Sequence, residues 1–180
     1  CGGCKWQNLP YEEQLKAKQQ QVYDQLARIG KISLPEFRPI MGSVKTMEYR
    51  NKLEFGCCNK RWYTREELQS LPSDVGLKEG GIGFHITWAF DKIYPIKKCW
   101  LMDNLHNEIR NDIETYVKEN GISFYDLREQ HGLLRNLMFR TSNTGEWMLL
   151  IQFHFDEDGD KEKAEGLLQH ISAKFPQITS

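Results

Sequence analysis

The hydrophobic period of this chain changes partway along, and that change constrains its fold more than any other feature. From Tyr11 the apolar residues Tyr11, Leu15, Val22, Leu26 and Ile29 recur at helical spacing. Leu9-Pro10-Tyr11-Glu12-Glu13 opens the run, with proline at the first turn and acids at the positive end of the dipole, and Gly30 stops it. This predicts a helix over 11–29 with a narrow apolar stripe. Ser33 to Ser43, holding Pro35, Pro39 and Gly42, reads as a linker. From Tyr49 the period is two. Tyr49, Leu53, Phe55 and Cys57 fall on one face of a strand and Arg50, Lys52 and Glu54 on the other.

Downstream, Arg65 to Leu71 fits a short helix and Gly76 to Gly83 a loop or bulge. Ile82, Phe84, Ile86 and Trp88 alternate as a second strand, and Asp91 to Cys99 suggests a third, placed at an edge by Pro95. Leu105, Ile109, Ile113, Tyr116 and Val117 mark a helix opened near Asp103-Asn104 and closed by Asn120-Gly121. Leu133–Arg140 and Glu146–Phe155 flank the hairpin signal Ser142-Asn143-Thr144-Gly145. Asp160 to Phe175 is a last helix, with Ala164, Leu167, Leu168 and Ile171 inward, and Asp156 to Asp160 is the turn that caps it. The expected class is α+β: an antiparallel β-sheet with flanking helices, preceded by a long amphipathic helix. The expected division is 1–42, a cysteine motif with a linking helix, and 43–180, the central domain.

A net charge of -1 conceals an asymmetry. Residues 1–100 carry 16 Lys/Arg against 11 Asp/Glu, and residues 101–180 carry 8 against 14, which allows one basic face on a near-neutral chain. No apolar run is long enough to span a bilayer, so no membrane partner is expected. There is no Gly-rich nucleotide loop, no Ser/His/Asp signature and no convincing acid pair, so no residue is assigned as catalytic or as binding an organic cofactor. The five histidines are scattered and read as structural.

The five cysteines are Cys1, Cys4, Cys57, Cys58 and Cys99. An odd count with no export signal argues for reduced thiols and a cytoplasmic setting. Cys57 and Cys58 are adjacent on a strand, so one thiol should face the core and one outward. Cys1-Gly2-Gly3-Cys4 is a CxxC whose glycines let the backbone fold around a bound atom. Zinc would need a second pair, a thioredoxin-like redox site would need a strand before the motif, and an iron–sulfur cluster needs four thiolates that can lie far apart. Cys99 is a candidate further ligand, with a buried free thiol as the plainer alternative. A chain opening on a metal-ligand motif, without an initiator Met, is expected to be a piece of a longer protein. A stand-alone metal- or thiol-redox-binding module is the competing view.

Several segments together resemble one family, the S-adenosylmethionine-dependent RNA uracil-C5 methyltransferases of the iron–sulfur branch. They are Cys1-Gly2-Gly3-Cys4 with Gln7, Leu9-Pro10-Tyr11 with Gln14, Leu15 and Lys18, Tyr49-Arg50-Asn51-Lys52-Leu53-Glu54-Phe55, Gly83-Phe84-His85, Asp91-Lys92-Ile93 leading to Lys98-Cys99-Trp100-Leu101, and Leu134-Arg135-Asn136-Leu137 with Arg140. The resemblance implies a central, RNA-positioning fragment, with Cys1, Cys4 and Cys99 among the ligands of a 4Fe-4S cluster. It implies that S-adenosylmethionine is bound, and the methyl transferred, by a downstream domain, so this fragment alone should be inert. The implied partner is RNA, most readily 23S ribosomal RNA, held by Arg50, Lys52, Arg135 and Arg140, with Trp6, Phe84 or Trp88 stacking on unpaired bases. The stripe of Leu15, Val22, Leu26 and Ile29 should face the downstream domain. Exposing it would forgo roughly 1.5–3 kcal/mol per side chain, so an isolated fragment is expected to pair non-natively through helix 11–29.

Overall fold

The structure is a computed structural model that describes residues 3–71 and 79–180. Cys1, and the Gly76–Lys78 part of the expected loop, lie outside the described residues. The chain divides into two compact units, one running to Thr46 and the other being Met47–Ser180.

In the first unit, α1 (Tyr11–Asp24) continues directly into a π-helical turn at Gln25–Ile29, so the predicted helix is present over its whole length. Its entry is fastened by Gln14, whose side-chain amide donates to the carbonyls of Trp6 (3.1 Å) and Leu9 (2.8 Å). The segment expected as a free linker instead folds back along the helix. The backbone N–H of Ile40 donates to Gln19 Oε1 at 2.9 Å and that of Ser43 to the Tyr11 hydroxyl at 2.6 Å. Tyr23 and Phe37 meet edge-to-face at 5.4 Å. Even so, no residue of α1 or its π-helical turn is buried, and Ile29 is 79% exposed.

The second unit is a five-stranded antiparallel sheet in the order β3-β2-β1-β4-β5, built from β1 (Lys52–Cys58), β2 (Gly81–Ile86), β3 (Ala89–Tyr94), β4 (Leu134–Thr141) and β5 (Trp147–Phe153). The short α2 (Arg65–Ser70) opens on a capping box between Thr64 and Glu67, a T-x-x-E signature present in the sequence. The alternation read for β1 holds for Leu53, Phe55 and Cys57, which are buried with Leu137 and Phe139 of β4 and the helices α3 (Leu105–Glu119) and α4 (Asp160–Lys174), but not for Tyr49, which precedes the strand and is exposed. In α3, Ile109, Ile113 and Val117 are all buried. In α4 the stripe is Ala164, Leu167 and Ile171; Leu168 is 48% exposed because a helical step of one residue carries it off the stripe that Leu167 defines.

Three further expectations are corrected. The region expected as loop up to Gly83 already contains the start of β2 at Gly81. Trp88 does not extend the β2 alternation but sits in the two-residue connection to β3, after a register shift at His85/Ile86. Cys58 is not an outer thiol. It is fully buried, with its Sγ donating to the Asp91 carbonyl at 3.1 Å, because the second face of the sheet is covered at that end. Burial pushes both the Cys57 and Cys58 thiols up.

That cover is held by Asp126, which accepts from Asn59 Nδ2 (2.8 Å), Lys60 Nζ (3.1 Å) and the backbone N–H groups of Arg128 (2.8 Å) and Glu129 (3.1 Å). Burial alone would raise its carboxyl, but these bonds outweigh burial and hold it well below the usual carboxylate range. The stability it contributes is therefore complete above the unfolded value of about 3.9 and is lost as pH falls through the folded one. Asp126→Asn is expected to flatten the fall in thermal midpoint below about pH 4; an acid limb as steep as wild type would contradict this.

Both edges of the sheet are accompanied by other backbone. Beside β3, the Ile93 N–H donates to the Lys60 carbonyl at 3.1 Å and the Trp62 N–H to the Ile93 carbonyl at 2.6 Å. Beside β5, the Leu149 N–H donates to the Ser180 carbonyl and the Thr179 N–H to the Trp147 carbonyl, both at 2.9 Å.

Candidate nucleic-acid interface

Away from the covered end, the face of the sheet opposite α3 and α4 is open. It presents Lys52 and Glu54 from β1, Asn136, Met138 and Arg140 from β4, and Met148, Leu150 and Gln152 from β5, each half-buried or exposed. Asn136 and Gln152 are bonded across the strands at 3.1 Å. His85 lies over Gly56 on the same face, where a side chain on residue 56 would meet its ring.

The register makes Lys52 and Arg140 direct cross-strand partners. Like charges placed opposite one another destabilise a sheet unless an anion lies between or above them. The only counter-charge near the pair among the described residues is Glu54, 3.9 Å from Lys52 and largely exposed, and Arg140 makes no ion pair there. Exposed pairs of this length contribute little. The arrangement sets two cations side by side on an open, partly apolar surface, a chemistry that suits the phosphates of a nucleic-acid backbone.

The other candidates lie elsewhere. Arg50 precedes β1, exposed, with its backbone N–H on the Leu101 carbonyl at 2.7 Å. Arg135 sits at a register shift of β4, five residues and so about 17 Å from Arg140 along the strand. Its guanidinium is stacked 4.8 Å from the Tyr125 ring, so it belongs to the covered end rather than the open face. Among the aromatics, Phe84 packs on Phe55 at 4.8 Å and serves the core, whereas Trp6 and Trp88 are exposed.

No protein-family model matches the chain. It is 53% identical over its full length to an uncharacterized RNA methyltransferase of Bacteroides thetaiotaomicron and 48% identical over its full length to one of Porphyromonas gingivalis. In both cases it spans 39% of the relative, well under half. The chain belongs to this RNA methyltransferase family. Among solved structures, the tRNA (uracil-54, C5)-methyltransferase of Pyrococcus abyssi, in complex with S-adenosyl-L-homocysteine, shares its fold, with a TM-score of 0.58 and 22% identity. That similarity covers 91% of this chain and 34% of the other.

In this methyltransferase segment Cys99 is buried, as the plainer sequence reading had it, and its loop is gripped from α3, which the sequence did not announce. Asn107 accepts the Cys99 N–H (2.8 Å) and donates to its carbonyl (3.1 Å). Arg110, wholly buried over the Phe55 ring, donates to the carbonyls of Ile96 and Lys97 (the latter at 3.0 Å) and to Asn107 Oδ1 at 3.2 Å. Burial lowers its guanidinium to about 10, with Glu114 and Cys99 pulling the other way, so it stays cationic at neutral pH. Beside it His106, enclosed between Phe55 and Phe139, is pushed down by burial and reads as core, as the sequence suggested.

Cys4 belongs to the first unit and is exposed, and Cys1 lies outside the described residues. Among the described residues no three His, Cys, Asp or Glu side chains converge as a metal site. Nor is any helix among them long and apolar enough to cross a membrane.

Proposed function

We propose that this chain is the central, RNA-docking part of an S-adenosylmethionine-dependent RNA uracil-C5 methyltransferase of the iron–sulfur branch, acting on ribosomal RNA in the cytoplasm. The observation that carries the RNA-docking role is the Lys52–Arg140 pair on the open sheet face. Arg50 extends the cationic surface before β1 and Arg135 adds a cation at the far end of β4. The relatives are more than twice as long as the matched segment, and we place methyl-donor binding and transfer in that remainder. There a thiolate adds to C6 of uracil, the activated C5 takes the methyl group, and a base removes the C5 proton as the thiolate leaves.

Cys1, Cys4 and Cys99 are the proposed ligands in this chain of a 4Fe-4S cluster. The setting of Cys99 fits an anionic group, since Arg110 is cationic beside it and Lys97 and Lys98 adjoin it in sequence. When bound, the cluster would supply a covalent tie through thiolates rather than a step of the transfer. Within this chain, Asn107 and Arg110 hold the Cys99 loop in place. The stripe of Leu15, Val22, Leu26 and Ile29, in which Val22 and Ile29 are exposed and Leu15 and Leu26 half-buried, is proposed to dock on the methyltransferase part.

The test is RNA binding by the full-length protein carrying Lys52→Gln with Arg140→Gln. Loss of two phosphate contacts should weaken binding about tenfold at moderate salt and reduce the salt slope by about 1.4. Unchanged affinity and slope would remove the sheet face from the interface. Mass spectrometry of the RNA for 5-methyluridine tests the chemistry separately.

A further inference from the structure

The β2–β3 connection carries a tryptophan that the fold itself does not use. Ile86 and Ala89 pair, leaving Thr87 and Trp88 as a two-residue loop. Trp88 is 100% exposed and has φ +74, the left-handed region where such loops favour glycine or asparagine. A bulky side chain in that conformation is strained, and full exposure gains nothing in return from packing. Two residues on, Phe90 is 61% exposed with the Arg128 guanidinium 5.1 Å from its ring. Arg128 is anchored through Nε to Asp91, and its two terminal nitrogens make no hydrogen bond among the described residues. Lys92, next but one along β3, lies 5.8 Å over the exposed ring of Trp62 and makes no ion pair among the described residues. Three exposed aromatic rings and two cations are thus gathered on one hairpin and its neighbouring segments.

Resting on the RNA-docking reading above, we propose that this hairpin is a stacking site for unpaired nucleotides of the RNA substrate. Trp88 and Phe90 receive base faces, and Arg128 and Lys92 hold the adjoining phosphates. Aromatic rings interleaved with cations match the alternation of base and phosphate along a single strand. A protein partner would have no need of guanidinium nitrogens left open on Arg128, which is paired to Asp91 through Nε alone, with a second cation, Lys92, beside the rings. Every base has a π-face, so the site selects single-stranded character rather than sequence.

The experiment uses the full-length protein and a labelled uridine-rich single-stranded oligoribonucleotide. Trp88→Ala is expected to weaken binding about tenfold, Trp88→Phe to retain most of it, and a duplex of the same length to be insensitive to either. Trp88→Gly supplies a signature that a structural role would not give: the thermal midpoint holds or rises as the strain is relieved, while affinity for the single strand falls. If Trp88→Ala and Trp88→Gly bind like wild type while Lys52→Gln with Arg140→Gln weakens binding, the hairpin proposal is overturned and the sheet-face reading stands. If the wild-type protein binds neither single-stranded nor duplex RNA, the RNA-docking reading itself fails. If Trp88 is shielded from acrylamide in the RNA-free protein, by difference from Trp88→Phe, another part of the protein covers it and the proposal is overturned.

Discussion

Arg110→Met is expected to destabilise the second unit by about 3–4 kcal/mol, lowering its thermal midpoint by roughly 10 °C or more. The side chain is wholly buried, and methionine fills much of its volume against Phe55. What methionine cannot replace is the donor set. The carbonyls of Ile96 and Lys97 and the Asn107 amide oxygen all take hydrogen bonds from the guanidinium. A buried ion is sometimes exchanged for an apolar group at no loss, but only when its partners can be exchanged with it, and backbone carbonyls cannot. Of these three acceptors the Lys97 carbonyl keeps Asn111 and the Asn107 oxygen keeps the Cys99 N–H, while the Ile96 carbonyl is left without its donor. Arg110→Lys should recover part of the loss, since an ammonium reaches fewer acceptors than a planar fork. Loosening the loop should also raise the alkylation rate of Cys99, which is now buried. A variant with wild-type midpoint and wild-type Cys99 reactivity would show that the loop holds itself.

Gly83→Ala is the second large effect. A Cβ on residue 83 would lie 1.9 Å from the Tyr94 carbonyl oxygen, 2.7 Å from its carbon and 3.0 Å from Pro95 Cα. All three are backbone atoms of the adjacent β3 strand and its exit, so no rotamer relieves the clash and the hairpin must part. A cost of about 3 kcal/mol is expected. Gly56→Ala provides the contrast. Its Cβ would meet the His85 ring at 2.5 Å, but that ring is exposed and can swing into solvent, so about 1 kcal/mol is expected. Equal losses for the two variants, measured by chemical denaturation, would refute the close-approach argument.

The sequence showed the frame through local signals. Leu53, Phe55 and Cys57 alternate because one face of β1 meets helices, and Ser142–Gly145 marks the turn between β4 and β5 because few residues suit it. What it withheld depends on contacts between distant segments. Cys58 is buried because residues around Asp126 close over the outer face, which no local period records. Arg110 reads as an ordinary solvated helix cation until its acceptors in the 96–97 loop are in place. Lys52 and Arg140 were each legible as surface cations, but their pairing depends on a register set by the whole sheet. Trp88 continued an alternation that a register shift had already ended.

The backbone running beside both outer strands also decides how this unit can meet other molecules. A bare edge strand is a template on which another chain can add a strand, as peptides do in recognition and as misfolded copies do in fibrils. Here the Lys60–Trp62 segment takes up bonding groups along β3, and residues 178–180 take up those at the start of β5. Strand addition is thereby disfavoured at each rim. Crowded copies are kept from zipping together through their backbones, and the single-stranded partner proposed above would have to approach broadside.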